Sequence, residues 1–136
     1  MSSSPNMLQD VADFHELVLN STPMPAPTLV STEYCLERMR FLSEELEEFS
    51  ESAMVGDIVG VADALADLIY VALGTAHHMG MPFDDIWRAV HEANMRKVRG
   101  ATKRGNEVDA MKPLGWVGPE RAIARALSTA LSTAGS

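Results

Sequence analysis

Glu44, Glu45 and Glu48, followed after a short break by Asp63 and Asp67, are the side chains of this sequence best equipped for chemistry. Both segments read as helix. Glu44 and Glu48 are four residues apart, Glu45 and Glu48 three, and Asp63 and Asp67 four, so each set projects from one helical face. Like charges at that spacing cost a helix roughly 0.2–0.5 kcal/mol per pair, and two such faces set against each other call for a neutraliser. A hard divalent cation with oxygen ligands, Mg²⁺ above all, is the usual one. For the glutamates alone, a solvated face is the simpler reading. The aspartates change the balance, because they interrupt an apolar run (Val59, Val61, Ala62, Leu65, Ala66, Leu68, Ile69, Val71, Leu73) where a solvated face is hard to arrange. A metal site is expected.

The elements that must position these carboxylates are helical. Ser4-Pro5 has the form of an N-cap with proline at the first helical position, opening a helix to about Leu19 in which Met7 or Leu8, Val11, Phe14 or His15, and Val18 recur with helical period. Ser21 to Thr28 holds Pro23, Pro25 and Pro27 and reads as an extended connector. Ser31 or Thr32 can cap a second helix whose expected buried stripe is Met39, Leu42, Leu46, Phe49 and Ala53. Gly56-Asp57 marks a turn with Asp57 as N-cap, and a third helix runs to about Met79 before Gly80-Met81-Pro82. On that helix Ala62, Ala66, Ile69 and Leu73 form one stripe, the expected core side, and Asp63, Asp67, Tyr70 and Gly74 the neighbouring one. A polar stripe beside a core stripe, ending in a ring and a glycine, describes a cleft wall; close approach of another helix at Gly74 explains the glycine equally well. A fourth helix starts at Asp84 or Asp85 and runs to about Val98, with Ile86, Val90 and Ala93 inward. Residues 99–118 read as a long loop, Pro119 can open a terminal helix from Ala122 to Leu131, and about 128–136 reads as a frayed tail.

At 136 residues the chain is expected to form a single all-α domain over 1–136. A net charge of −8 argues against nucleic acid and anionic membranes, for lack of a basic patch. Cys35, the single cysteine, excludes an internal disulfide and a thiolate cluster. No apolar run is expected to reach the roughly 20 residues of a membrane span, and the start shows no secretory signal. A reduced, cytoplasmic setting follows. The apolar run from Ile58 to Leu73 exceeds what one hairpin can bury, so helical hairpins are expected to join across a homo-oligomer into a four-helix-bundle core.

The order of these segments resembles a known superfamily. Arg38-x-x-Phe41-Leu42-x-Glu44-Glu45-x-x-Glu48, then Ala62-Asp63-Ala64-Leu65-Ala66-Asp67-Leu68-Ile69-Tyr70-Val71 and Gly74-Thr75-Ala76, are similar to the all-α nucleoside triphosphate pyrophosphohydrolases. That superfamily includes the MazG proteins, the dimeric dUTPases and the phosphoribosyl-ATP pyrophosphohydrolases. Phe14-His15, Val90-His91-x-x-Asn94-Met95-x-Lys97 and the stretch from Lys112 to Trp116 resemble its small phosphoribosyl-ATP pyrophosphohydrolase-like branch, so the likeness extends over about residues 11–119. One departure stands out: the second metal motif is usually Glu-x-x-Asp, and Ala64 holds the glutamate position.

The resemblance implies hydrolysis of the α–β phosphoanhydride of a nucleoside triphosphate to the monophosphate and pyrophosphate. It implies Mg²⁺, with Mn²⁺ as a substitute, held by Glu45, Glu48, Asp67 and, in place of residue 64, Asp63. Glu44 is the implied base. Asn94, Lys97, Lys112, His91, His15, Tyr70 and Trp116 are the implied substrate contacts, with Lys97, Arg99, Lys103, Arg104 and Lys112 able to fold over the phosphates as a lid. For Trp116 a seat against the core is the alternative, and for the two histidines a structural place. The family forms homodimers or homotetramers. A competing reading is a catalytically silent nucleotide-binding protein, with Ala64 marking lost activity. A di-iron bundle lacks its Glu-x-x-His pairs, since His91-Glu92 has the wrong spacing.

Overall fold

The computed structural model describes residues 6–100 and 108–134. Its helices are α1 (Met7–Leu17), α2 (Thr32–Met54), α3 (Ile58–His78), α4 (Phe83–Met95) and α5 (Glu120–Ala134), with two short strands, β1 (Val98–Gly100) and β2 (Asp109–Met111). The class is all-α. The chain divides into two compact units, Met1–Phe83 and Asp84–Ser136.

In the first unit, α2 and α3 form an antiparallel hairpin and α1 packs on α3. Each helix starts where a side chain satisfies an orphan backbone N–H. Asn6 caps α1 by accepting from Gln9 N, which sets the start two residues later than the proline signal suggests; Ser4 and Pro5 lie outside the described residues. Ser31 accepts from Tyr34 N, and Asp57 from Gly60 N. The α2–α3 turn has Gly56 at φ 71°, a backbone that glycine adopts without cost. The proline-rich connector runs past the end of α3, where Met24 N donates to His78 O and Thr28 N to Met79 O. Gly80, at φ 71°, has no room for a Cβ: the Met24 and Ala26 carbonyl oxygens would stand 2.7 and 2.8 Å from it.

The apolar stripes do not face where a self-contained domain would put them. No residue of α2 is buried, and Met39 and Leu46, expected inside, are 61 % and 57 % exposed. On α3 the expected core residues Ala62, Ala66 and Ile69 are exposed, and the buried ones are Ala64, Gly74 and Ala76. The physical reason is that polar side chains line the inner seam of the hairpin. Tyr34 meets His78, with ring centroids 4.9 Å apart, Arg38 bonds Val71 and Thr75, Glu45 and Glu48 meet Asp67, and Ser52 abuts Gly60. Contrary to expectation, α3 is also long and apolar enough to cross a membrane by length and composition. In the structure it serves as the central helix of the unit, in contact with both α1 and α2.

In the second unit, α4 buries Ile86 and Ala93 as expected, with Ala89 buried where Val90 was expected and Val90 half-buried, and it ends three residues early at Met95. Residues 98–100 and 109–111, at the end of the expected fourth helix and in the long loop expected over 99–118, instead carry a small antiparallel pairing, Val98 opposite Met111 and Gly100 opposite Asp109. Three-residue strands leave too little alternation to signal themselves. Helix α5 begins directly after Pro119 and continues through the expected frayed tail to Ala134.

Candidate metal centre

Glu45 and Glu48 lie one turn apart on α2, and Asp67 enters from the facing side of α3. A carboxylate oxygen from each lies within 4.8 Å of the others. Glu45 and Asp67 are half-buried and Glu48 is exposed, so the cluster opens to solvent on one side. Oε2 of Glu45 is buried and has no hydrogen-bond partner. Burial first, then the interaction with the neighbouring Glu48 carboxyl and the charges of Asp67 and Asp63, push the Glu45 carboxyl up to about 7. A buried acceptor without a donor, among like charges, is costly unless something positive completes it. The donors are all carboxylate oxygens, which suit Mg²⁺ or Mn²⁺ and not a soft metal. The residues fit the cation.

Asp63 lies one turn before Asp67 on the exposed flank; it falls outside the close triad, although its charge reaches Glu45. Ala64 is 1 % exposed, so the position at which the resembled superfamily usually carries a glutamate holds no carboxylate and leaves little space for one. Glu44 is exposed and turned about 100° from Glu45 around the helix axis.

His15 is buried at 7 % exposure where α1 meets α3. Its Nε2 would lie only 2.6 Å from a Cβ on Gly74, so the glycine admits this ring. The ring stands edge-on to Phe14 and His77, and burial, then His77, Arg38 and His78, lowers its pKa. His77 and His78 therefore serve different neighbours, His77 facing His15 and His78 facing Tyr34 and Ser21. Tyr70 meets Phe14 edge-on at 5.5 Å and lines a cavity of about 240 Å³ between α1 and α3, with Asp10 and apolar side chains around it.

In the second unit, Trp116 donates from Nε1 to Ala93 O at 2.8 Å and holds two ammonium groups against its ring, Lys97 at 5.3 Å and Lys112 at 5.0 Å. The indole is thus pinned on α4, with its ring engaged by cations. Asn94, Lys97 and Arg99 line an open cavity of about 390 Å³. His91 is exposed. Lys103 and Arg104, part of the expected lid, lie outside the described residues.

Sequence reasoning overlooked Arg38 and Tyr34 as parts of the seam. Their signal was available: Tyr34, Arg38, Phe41, Glu45, Glu48 and Ser52 alternate at spacings of four and three, the pattern of an inward helical face written in polar and aromatic residues.

A family model described as phosphoribosyl-ATP pyrophosphohydrolase matches residues 11–94. The match takes in the three clustered carboxylates, Asp63, Tyr70, His91 and Asn94, and stops short of Lys97, Lys112 and Trp116. No curated protein matches the chain.

Proposed function

Because the chain belongs to the phosphoribosyl-ATP pyrophosphohydrolase family, a family of hydrolases acting on phosphoanhydride bonds, we propose that it converts a nucleoside triphosphate or related nucleotide to the monophosphate and pyrophosphate. The observation that carries this reading is the Glu45–Glu48–Asp67 cluster with its unpartnered buried oxygen. A polyphosphate cannot approach those carboxylates unaided. Mg²⁺, or Mn²⁺ in its place, held by Glu45, Glu48 and Asp67 with Asp63 as a fourth carboxylate, would supply the missing positive charge and polarise phosphate oxygens.

The remaining roles fall to the chain's own residues. Glu44, on the solvent side of the same turn, orients the attacking water and takes its proton as the water oxygen bonds to the α-phosphorus and pyrophosphate departs. Lys97 and Lys112, gathered on Trp116, and Asn94 supply positive charge and donors for the phosphates, with His91 one turn before Asn94. Trp116 contributes by holding the lysines. Tyr70 contacts the nucleoside from the cavity wall, and His15 acts by seating α1.

The exposed stripes of α2 and α3 support assembly into a homodimer or homotetramer. Leu65 and Ile69, at 45 % and 48 % exposed, are buried there against a second hairpin to complete a four-helix core. Sedimentation at micromolar concentration tests this, and a monodisperse monomer overturns it. We place the enzyme in the cytoplasm, in keeping with its family and its lone cysteine.

Ala64 favours one rival reading, a silent nucleotide-binding protein. Pyrophosphate release from a panel of triphosphates and phosphoribosyl-ATP with Mg²⁺ separates the two. Turnover of any one of them supports the enzyme, and tight nucleotide binding without pyrophosphate supports the rival.

A further inference from the structure

We infer that Arg38 is a positioning residue for the carboxylate cluster: its guanidinium ties α2 to α3 one turn from Asp67 and so holds Glu45 and Glu48 opposite that aspartate. The inference rests on the metal-site reading above.

Three carboxylates on two facing helices push those helices apart. Something must oppose the push and hold the helices in register. On one side of the cluster the helices are joined covalently by the Gly56-Asp57 turn. On the other side the tie is Arg38. Among the described residues, the side-chain hydrogen bonds that join α2 to α3 both come from it: Nε donates to Thr75 Oγ1 at 2.8 Å, and Nη2 to Val71 O at 3.1 Å. Thr75 Oγ1 in turn donates to Val71 O at 2.7 Å, which closes the three groups into a bracket.

The bracket is placed to set the site. Val71 follows Asp67 by one helical turn on α3, and Arg38 precedes Glu45 by two turns on the same face of α2. The guanidinium is half-buried, 5.8 Å from the ring centroid of Tyr34 and 5.4 Å from that of Phe41, so its direction is fixed by packing as well as by hydrogen bonds. Its bonds go to neutral oxygens and not to a carboxylate, so its charge is not spent on an ion pair that would draw it out of the seam. A lysine could reach one of these acceptors as a point donor but cannot span both with a planar fork. Residues that orient a metal's ligands without touching it typically change affinity by 10–100-fold when altered.

The test is Mn²⁺ affinity of the full chain without nucleotide, measured by titration calorimetry or by loss of the free-ion electron paramagnetic resonance signal. Arg38→Lys should weaken Mn²⁺ at least tenfold while far-UV circular dichroism keeps the wild-type helical content. Thr75→Val, which removes one acceptor and leaves the guanidinium in place, should weaken it in the same direction by a smaller factor. In the double variant the effects should be less than additive, because both act through one bracket. Arg38→Lys and Thr75→Val variants that melt lower yet bind Mn²⁺ within twofold of wild type would show a merely structural brace and overturn the inference. Wild type that binds no Mn²⁺ would overturn the metal-site reading first and this inference with it.

Discussion

Asp67→Asn should make the metal-free protein more stable and metal-indifferent. The substitution keeps the shape and removes one charge from a cluster whose oxygens lie within 4.8 Å of one another. At that separation a pair of unit charges repels by about 0.9 kcal/mol in a water-like dielectric and about 3.5 kcal/mol at an effective value of ~20. Glu48 is exposed and Glu45 half-buried, so the gain should fall between these limits, roughly 1–3 kcal/mol. No donor among the described residues relies on the Asp67 carboxylate, so the change strands no partner. For a chain of this length each kcal/mol moves the melting temperature by about 3–5 °C.

The assay is a thermal melt in chelator at low salt and pH 8, repeated with Mg²⁺. The advantage of Asp67→Asn should shrink in high salt, which screens the pairs. It should also shrink at lower pH. The Glu45 carboxyl is raised to about 7 in the folded protein, from 4.5, so its contribution to stability is full below 4.5 and is lost as pH rises through about 7. Wild-type metal-free protein should therefore gain stability on acidification across that window, where the cluster takes up a proton. Mg²⁺ at one hundred times its dissociation constant should stabilise wild type by about 2.7 kcal/mol and leave the variant unmoved. A variant that melts below wild type without metal would show that Asp67 is a structural group and that the repulsion argument is wrong.

Asp63→Asn should lower activity by orders of magnitude and weaken Mg²⁺ if this exposed carboxylate completes the ligand set; unchanged Mg²⁺ dependence would show that the triad suffices. Gly74→Ala replaces a residue that costs a helix about 1 kcal/mol relative to alanine, yet the new methyl must displace the His15 ring; crowding of that kind costs about 1–3 kcal/mol. The expected outcome is a net loss with faster amide exchange in α1, and a stabilised protein would refute the close packing. Lys97→Ala should raise KM for the nucleotide several-fold with a smaller effect on kcat, whereas an equal fall in kcat and kcat/KM would place Lys97 in the transition state instead.

Helix positions and caps were largely legible because their signals are local: Ser31 and Asp57 cap as their side chains require, and Pro119 and Gly80 bound helices. The cap of α1 falls on Asn6, two residues after the proline signal, because a cap is decided by which side chain reaches a free N–H, a geometric matter that spacing only suggests. The apolar stripes of α2 and α3 were real features of the sequence, but their direction was not legible. Periodicity marks which residues share a face without saying whether that face turns to its own chain or away from it. Glu45, Glu48 and Asp67 were legible as a group because the aspartate interrupts an apolar run, where a solvated face is hard to arrange. The inward position of Arg38 was legible from its spacing with Phe41, Glu45 and Glu48, but its role was not, since an arginine between aromatic residues names no acceptor until Val71 and Thr75 on α3 are seen. The β1–β2 pairing falls in the same class, a contact between segments too short to carry a pattern.

If the proposed assembly buries them, the outward turn of Met39, Leu46, Leu65 and Ile69 makes concentration a variable of the molecule's state. In the proposed assembly these side chains gain their cover from a second copy, so the time they spend exposed depends on how many copies are nearby. A substitution that spares those four residues but silences a carboxylate would still enter mixed assemblies. Co-expression of such a chain with wild type should then depress total activity by more than simple dilution wherever a defective copy impairs its neighbour.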